Sequence, residues 1–265
     1  MKFRNEYVSN FEGAFRGLRN PLESWSRSDS EFGITTINSS LDFEVAERWK
    51  NKNENDNLLD RAEWLRANGI LKWGDNDSFE FAYLGPNDID LAQRMIAAGT
   101  SDSKFLRQIF VSIDITAPLY WWKEFDTYKI GTTANSTSTM HKLASTSISL
   151  KNFETDDFNP NLVLQEEVTS DSVLDYFAED FAKDIIKGLE TLRLKYLETK
   201  DERYWKELVR WLPNGWIQTR TVTMNYAVLR NIYFQRKNHR LNEWHSFCNW
   251  IKELPYGKEL IILTK

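Results

Sequence analysis

The segment FLRQIFVSIDI alternates apolar and polar side chains, and this alternation is the strongest constraint on the fold. Its apolar members fall on one side of an extended chain: Ile109, Val111, Ile113 and Ile115. A period of two residues predicts a strand with one buried face, placed centrally in a sheet. Thr116 and Pro118 follow the strand. They predict a helix that begins with Thr116 as N-cap and Pro118 in the first turn.

A polar loop comes after this predicted helix, whose sequence LYWWKEFDTYK is rich in aromatic residues. The loop, residues 131–139, reads GTTANSTST and has almost no apolar side chains. Hydroxyl and amide groups at this density either cap helices or bind an anion. The residues alone leave both alternatives open.

The rest of the chain mixes helices and strands, which predicts an α+β fold with a mixed sheet and long helices. A hairpin is expected at ILKWGDNDSFEFAYLG, turning at residues 74–77, and a strand at WIQTRTVTM. The helices are expected over 41–69, over NDIDLAQRMIAAG with Asn87 or Asp88 as cap, and over 172–197, ERYWKELVRWL, 225–236 and 241–253. Residues 142–161 look irregular. Because no repeat or linker is evident, residues 1–265 are interpreted as a single domain.

Composition excludes several classes of protein. The net charge of −5 argues against a broad nucleic-acid-binding surface, although a local basic patch stays possible. No apolar run approaches the roughly 20 residues of a membrane span, and the N-terminus lacks the apolar segment of a secretory signal. The single cysteine, Cys248, cannot form an intramolecular disulfide. A cytoplasmic location is therefore expected.

Aromatic residues make up 14% of the chain, including 11 Trp and 16 Phe. This high content predicts either a large aromatic core or an interface between subunits. Motifs for familiar chemistry are absent from the sequence, namely GxSxG, GxGxxG, the Walker A loop, CxxC and HExxH. His245 and Cys248 are spaced to share a helix face, but two ligands do not make a site, so packing is favoured and no metal is expected.

Two basic segments are candidates for binding an anion. Arg236 and Arg240 would lie one turn apart if their helix continues, so that two guanidinium groups could converge on one anion. The alternative is a solvated basic face paired with acidic neighbours such as Glu243. Near the N-terminus, WSRSDSEFG contains Arg27 and Asp29 and could meet a phosphate, or it could be a solvated loop with local ion pairs.

The C-terminal part of the chain resembles the flavin-dependent thymidylate synthases. In that family a Leu-Pro pair precedes a strand and a helix with the pattern N-x-R-x-L-x-x-F-x-x-L-R. Here Leu212-Pro213 precedes a predicted strand, and the helix contains Asn225, Leu229 and Arg236 at similar spacing. The order of elements also agrees: strand, helix, polar loop, long helix, Leu-Pro, strand and terminal helices.

The polar loop is similar to the family's second motif, R-H-R followed by S-x-N-E-x-S-x-R. Residues 127–129, Thr-Tyr-Lys, stand in place of R-H-R. The second half of the motif is matched, with one residue inserted, by Thr133, Asn135, Ser136, Ser138 and Met140. The family arginine that binds the substrate phosphate is therefore replaced by Met140. A set of uncharacterised phage-associated and bacterial proteins looks similar in this variant loop and at the N-terminus.

The resemblance implies the family's α+β fold, a homotetramer with active sites between subunits, and a pyrimidine nucleotide such as dUMP as substrate. The residues it implies for FAD are Tyr128, Lys129, Thr133 and Asn135. The residues it implies for the nucleotide are Ser136, Ser138, Arg236 and Arg240, with Ser138 and Arg236 in catalytic roles. If flavin is retained, the expected chemistry is reductive methylation. The alternative, favoured by the loss of R-H-R, is a non-catalytic binding or assembly protein that keeps the fold.

Overall fold

A computed structural model describes residues 1–36, 70–73, 78–168 and 173–264 of the chain. In chain order its elements are β1 (Lys2–Ser9), α1 (Phe11–Arg19), β2 (Glu31–Thr36), β3 (Ile70–Trp73), β4 (Ser78–Tyr83), α2 (Pro86–Ala98), β5 (Phe110–Pro118), α3 (Leu119–Phe125), β6 (Thr133–Ser136), α4 (Thr139–Lys142), β7 (Val163–Val168), β8 (Val173–Phe177), α5 (Ala178–Thr199), α6 (Glu202–Arg210), β9 (Ile217–Asn225), α7 (Tyr226–Arg236) and α8 (Asn242–Glu253). The helix predicted over 41–69 and the turn at 74–77 lie outside the described residues.

A four-stranded antiparallel sheet with the order β1-β5-β9-β6 forms the centre of the molecule. The predicted strand β5 has an inner position, and its apolar residues are buried as expected. Val111 lies opposite Met224 and Ile113 lies opposite Val222, so the two inner strands present one continuous apolar face. The predicted α+β class is confirmed, and the pairs between described strands are antiparallel.

Aromatic side chains cover this apolar face. Phe11 of α1 packs edge-on against Tyr226 of α7, with ring centroids 5.7 Å apart. Trp121 of α3 packs against Trp244 of α8 at 4.9 Å, and all four rings are buried. Such pairs contribute about 0.5–1.5 kcal/mol each beyond the area that they bury. Much of the aromatic content therefore belongs to the core, the first of the two alternatives that composition left open.

The other face of the sheet is polar. Thr221 Oγ1 donates to Asp114 Oδ1 at 2.5 Å, and Asn5 Nδ2 donates to Asp114 Oδ2 at 2.7 Å. These hydrogen bonds, the one from Thr221 first, lower the pKa of the Asp114 carboxyl below its usual range. Thr116 and Thr219 share a hydrogen bond of 2.8 Å on the same face. The predicted alternation of buried and polar residues in β5 is thus confirmed.

A second, three-stranded sheet with the order β2-β4-β3 contains the predicted hairpin. Tyr256 joins this sheet to the C-terminal segment. Its hydroxyl donates to the Ala82 carbonyl at 3.1 Å and accepts from the Leu84 N–H at 2.8 Å. Burial, as the larger cause, raises the pKa of Tyr256 above its usual range, so the hydroxyl remains a donor at neutral pH.

Helix α2 does not begin with the cap that the sequence predicted. Gly85 occupies the N-cap position and Pro86 follows it. The carboxylate of Asp29 accepts the N–H groups of Asn87 at 2.8 Å and Asp88 at 3.1 Å. The prediction that Asn87 or Asp88 caps the helix is therefore wrong, because a distant acidic residue already satisfies these donors.

The start of α3 also differs from the prediction. Thr116 is not an N-cap, since β5 continues through Pro118, which lies opposite Ile217 of β9. The helix begins at Leu119, whose N–H donates to the Trp216 carbonyl at 2.9 Å. The partner strand supplies the acceptor that a capping side chain would otherwise provide, so the strand extends further than local preference indicates.

The long helix predicted over 172–197 begins later, at Ala178, because residues 173–177 pair with β7 as strand β8. A second hydrophobic cluster lies beneath α5 and α6 and is formed by Leu143, Ile148, Leu189, Leu208 and Trp216. The single-domain interpretation stays a prediction. Among the described residues, no helix carries an apolar stretch of sufficient length to cross a bilayer.

Candidate functional site

Strand β6 was predicted as loop, and its pairing with β9 sorts the polar residues onto two faces. Ser136 lies opposite Arg220, and Asn135 lies opposite Thr221. Directly opposed side chains share a face of an antiparallel sheet, and successive residues alternate faces. Ser136 therefore shares a face with Arg220, whereas Asn135 and Thr133 lie on the polar face. The residues predicted for cofactor and for substrate in this strand are thus separated by the sheet.

The turn that follows β6 is tied to β9 by one glutamine. Gln218 is buried, and its Nε2 donates to the Thr137 carbonyl at 2.9 Å and to Thr139 Oγ1 at 3.2 Å. Ser138 lies between these two anchors and Ser136 lies just before them. A buried amide with satisfied donors fixes the path of the backbone. The structure therefore holds Ser136 and Ser138 in one short segment beside β9.

Arg220 is fixed next to this segment. Its guanidinium carbon lies 4.3 Å from the centroid of the Trp122 ring, a cation–π distance. Its Nε donates to Gln218 Oε1 at 3.0 Å, and its Nη1 donates to Asp126 Oδ1 at 2.7 Å. The side chain is 16% exposed. One cation with limited access to solvent, opposed by one carboxylate, thus borders the serines.

Arg236, at the end of α7, has a similar environment. Its Nε donates to the Tyr128 hydroxyl at 2.8 Å and its Nη1 donates to Glu124 Oε2 at 2.9 Å. The guanidinium stacks over Trp244 at 4.6 Å. Its side chain is 20% exposed. Each of the two arginines is therefore held by a tryptophan and a carboxylate.

Glu124 gathers three donors on one oxygen. Besides Arg236, its Oε2 accepts the Trp244 Nε1–H at 2.9 Å, and His239 Nε2 lies 3.4 Å away. His239 Nδ1 accepts the Leu241 N–H, which leaves Nε2 as the donor in the neutral tautomer. Glu124 thus organises the end of α7 and the start of α8 around the last turn of α3.

The last turn of α3 lies between the two arginines, because Glu124 binds Arg236 and Asp126 binds Arg220.

Arg240 has a different position. Helix α7 ends at Arg236, so the continuation that would align Arg240 with it does not occur. Arg240 is exposed beyond the helix end. The predicted convergence of Arg236 and Arg240 along one helix is therefore wrong.

The segment between α3 and β6 is packed against the start of α7. Gly131 has φ of 77°, and a Cβ there would lie 3.0 Å from Val228 Cγ2 and 3.1 Å from Asn225 Nδ2. Both the left-handed backbone and the close contact favour glycine at this position. Lys129, one of the predicted cofactor residues, is exposed in the same segment. The hydroxyl of Tyr128 is engaged by Arg236.

Metal and thiol chemistry find no support in the described part of the chain. No group of three His, Cys, Asp or Glu side chains there is placed to hold a metal ion. Cys248 is buried, and burial raises the pKa of its thiol to about 11. The thiol is therefore protonated and unreactive at neutral pH, as expected of a packing residue.

The N-terminal polar loop is closed by acidic residues. Arg19 Nε donates to the buried Asp88 Oδ1 at 2.6 Å, and the hydroxyls of Ser28 and Ser30 donate to Asp88 Oδ2 at 2.6 and 2.5 Å. Asp29 caps α2. The hydroxyls and the helix N-terminus that could have met a phosphate thus already have anionic partners. The loop is therefore held by long-range contacts to the start of α2, and phosphate binding by Arg27, which is exposed, stays a prediction.

Comparison with known structures identifies the architecture. Flavin-dependent thymidylate synthase ThyX from Helicobacter pylori, in a complex with FAD and dUMP, matches over 99% of this chain and 98% of its own, with a TM-score of 0.56 and 14% identity. A second structure of the same enzyme with FAD and dUMP gives 0.57 and 15%. The fold is that of a flavin-dependent thymidylate synthase. The fold implied by the sequence motifs is thereby confirmed over almost the whole chain.

A UMP/dUMP methylase, PolB from Streptomyces cacaoi bound with 5-Br UMP, matches over 88% of this chain and 94% of its own, with a TM-score of 0.47 and 13% identity. No protein-family model matches the sequence. No curated protein matches it at a significant level either.

Three residues of this candidate site were missed by the motif comparison: Arg220, Gln218 and Glu124. A signal for the first two exists in the sequence. Gln218 and Arg220 share the parity of Val222 and Met224 in WIQTRTVTM, so they lie on the buried face of β9. Polar residues on a buried face need specific partners, which marks them as structural or functional. No such signal exists for Glu124, whose partners come from distant parts of the chain.

Proposed function

We propose that the protein binds a pyrimidine nucleotide at the end of α3, with Ser136, Ser138, Arg220 and Arg236 as the principal residues. The observation that carries the proposal is the pair of tryptophan-stacked arginines on either side of the last turn of α3. Guanidinium groups bind phosphate through paired N–H donors, and stacking fixes their orientation before the ligand arrives. Arg240, exposed beyond α7, would contribute only at the periphery.

Ser136 and Ser138 supply hydroxyl groups to the proposed site. Ser136 shares a sheet face with Arg220, and the Gln218 anchors hold Ser138 in the adjoining turn. Hydroxyl groups can donate to phosphate or base oxygens and accept from base N–H groups. Because the ThyX structures of the same fold contain dUMP, this nucleotide is the first ligand to test. The catalytic roles that the resemblance gives Ser138 and Arg236 stay predictions.

A flavin does not fit the positions that the resemblance assigns to it. Thr127 Oγ1 donates to the Glu124 carbonyl, and the Tyr128 hydroxyl donates to Gln235 and accepts from Arg236. Lys129 is the one cation among residues 127–129, whereas the diphosphate of FAD favours several cationic partners. Asn135 and Thr133 lie on the far face of the sheet. The proposal is therefore for nucleotide binding, and no flavin-dependent step is assigned.

The assembly alternative is favoured by a specific observation on β7 and α5. Large apolar side chains are exposed at β7, on α5 and directly after α6, namely Leu162, Leu164, Phe181, Leu194 and Trp211. Exposed apolar groups in such number mark an interaction surface. We propose that a second copy of this chain covers it, which agrees with the oligomer implied by the resemblance. Light scattering after gel filtration tests this, since Phe181→Ser would then lower the measured mass.

Calorimetric titration with dUMP tests the nucleotide proposal. Saturable binding by the wild-type protein that weakens in Arg220→Ala is expected, with Arg94→Ala on α2 as a surface control. FAD is titrated in parallel, and absorbance in the blue region reports any flavin that co-purifies. Failure to bind dUMP or UMP at millimolar concentration would refute the proposal. A yellow protein would show instead that a flavin site exists outside the residues considered.

A further inference from the structure

Glu124 and Asp126 stand where an anionic ligand would bind. Each accepts a hydrogen bond from one arginine of the proposed site, Arg236 at 2.9 Å and Arg220 at 2.7 Å. A phosphate cannot use the same N–H groups while a carboxylate oxygen occupies them. The two cations are thus each paired with an acidic residue at the C-terminal end of α3.

These carboxylates can leave their partners. Glu124 is 34% exposed and Asp126 is 49% exposed, so both have solvent beside them. Displacing them into water costs less than displacing a fully buried carboxylate, because a part-exposed ion is solvated when its partner leaves. The arginines cannot move in the same way, since Trp122 and Trp244 hold their guanidinium groups in place.

We propose that Glu124 and Asp126 are displaceable counter-ions that set the ligand selectivity of this site, an inference that rests on the proposed function. A ligand that takes the Nη1 donors must compete with a carboxylate at each guanidinium, so weak anions lose the competition. A phosphate monoester carries nearly two negative charges and several acceptor oxygens. Its interaction with the guanidinium groups is therefore stronger than the interaction that the carboxylates lose. The site then selects a nucleoside monophosphate over a nucleoside, a phosphodiester or a carboxylate.

The decisive variants are Glu124→Gln and Asp126→Asn, which keep shape and a hydrogen-bond acceptor but remove the competing charge. Each is expected to tighten dUMP binding roughly 3- to 10-fold, as for loss of a partly exposed ion pair. Deoxyuridine, which lacks the phosphate, should show no change. Asp90→Asn on α2 also removes the carboxylate of an exposed Arg–Asp pair and serves as control for net charge.

A double variant of Glu124 and Arg236 distinguishes competition between carboxylate and ligand from a change in folding. The tightening by Glu124→Gln should disappear in the Arg236→Ala background, since the carboxylate acts only through that guanidinium. Circular dichroism and thermal unfolding confirm that each variant is folded. Asp126→Asn, the more exposed position, provides a second reading if Glu124→Gln is unstable. Equal or weaker dUMP binding in both folded variants would overturn the inference.

Titration with inorganic phosphate separates failure of the counter-ion inference from failure of the proposed function. Its binding is monitored through shifts of the arginine Nε–H signals in NMR spectra. If dUMP fails to bind but phosphate binds more tightly to Glu124→Gln, the counter-ion role stands and the nucleotide proposal falls. If dUMP binds with unchanged affinity in both variants, the nucleotide proposal stands alone. If neither ligand binds any of these proteins, both are wrong.

Discussion

Two arginine–carboxylate clusters of this molecule look alike in composition and differ in what surrounds them. In the first, Arg19 meets Asp88, which is fully buried and accepts from two serine hydroxyls as well. In the second, Arg236 meets Glu124, and both side chains retain contact with solvent. An arginine paired with an acidic residue is the centre of both clusters. Burial decides their role, because only the second cluster leaves an anion a way to reach the guanidinium.

The difference follows from the cost of an unpaired charge. A buried ion that loses its partner pays a desolvation penalty of several kcal/mol, so the first cluster is locked. A part-exposed ion can be solvated when its partner leaves, so the second cluster can exchange partners. The Asp88 cluster is therefore a structural clamp between the N-terminal segment and α2. The Glu124 cluster is the one that we propose as part of the ligand site.

The largest expected effect comes from breaking the clamp. Asp88→Ala leaves Arg19 without its carboxylate and two serine hydroxyls without their acceptor, and it should destabilise the protein by about 3–5 kcal/mol. Urea unfolding followed by tryptophan fluorescence measures this. Asp90→Ala, in an exposed pair with Arg94, is the control and should cost no more than about 1 kcal/mol. A loss below that value for Asp88→Ala would mean that the clamp is not structural.

Removing Arg236, the arginine of the second cluster, should weaken nucleotide binding more than it lowers the stability of the fold. Arg236→Ala deletes the charge-assisted contact that we propose for phosphate, and we expect dUMP affinity to fall about 10- to 100-fold, equivalent to roughly 1.4–2.8 kcal/mol. Glu124 keeps the Trp244 indole as a donor, so the fold should survive. Isothermal titration measures the affinity, with Arg94→Ala as the matched surface variant. Unchanged affinity beside normal folding would exclude Arg236 from the site.

The clamp has a second component whose loss should be milder. Asp29→Ala removes the carboxylate that accepts two N–H groups at the start of α2, and helix caps contribute about 0.5–2 kcal/mol. Thermal unfolding should show the loss, and dUMP affinity should stay at the wild-type value. Asp102→Ala, at an exposed position, serves as control. If Asp29→Ala weakened nucleotide binding without lowering stability, the separation between clamp and site would not hold.

The sequence predicted the central strand, the hairpin, the C-terminal helices and the family resemblance, because periodicity and motif spacing are local. It could not predict what depends on distant partners. The cap of α2 comes from Asp29, and the start of α3 depends on Trp216. Strand β6 was missed because exposed hydroxyls such as Thr133 and Ser136 carry no apolar alternation, and only pairing with β9 makes them a strand. The partner of Arg236 could not be inferred for the same reason.

The smallest expected effect concerns two neighbouring residues of β6. Their substitution should affect dUMP binding differently, because their side chains lie on opposite faces of the sheet. Ser136 lies on the face of Arg220, and in the proposed site its hydroxyl donates to the ligand. Ser136→Ala should weaken dUMP binding about 2- to 10-fold, the equivalent of one hydrogen bond of roughly 0.5–1.5 kcal/mol. Asn135→Ala changes the next residue, on the polar face with Thr221 and Asp114, and should leave the affinity unaltered.

The paired design removes the common objection that any change in an edge strand disturbs the site. Both residues are exposed and both pair with β9, so a general loosening of β6 would weaken binding equally in the two variants. A loss confined to Ser136→Ala locates the nucleotide on the Arg220 face. A loss confined to Asn135→Ala would place it on the polar face instead, and Arg220 and Arg236 would then be structural ion pairs in the same sense as Arg19.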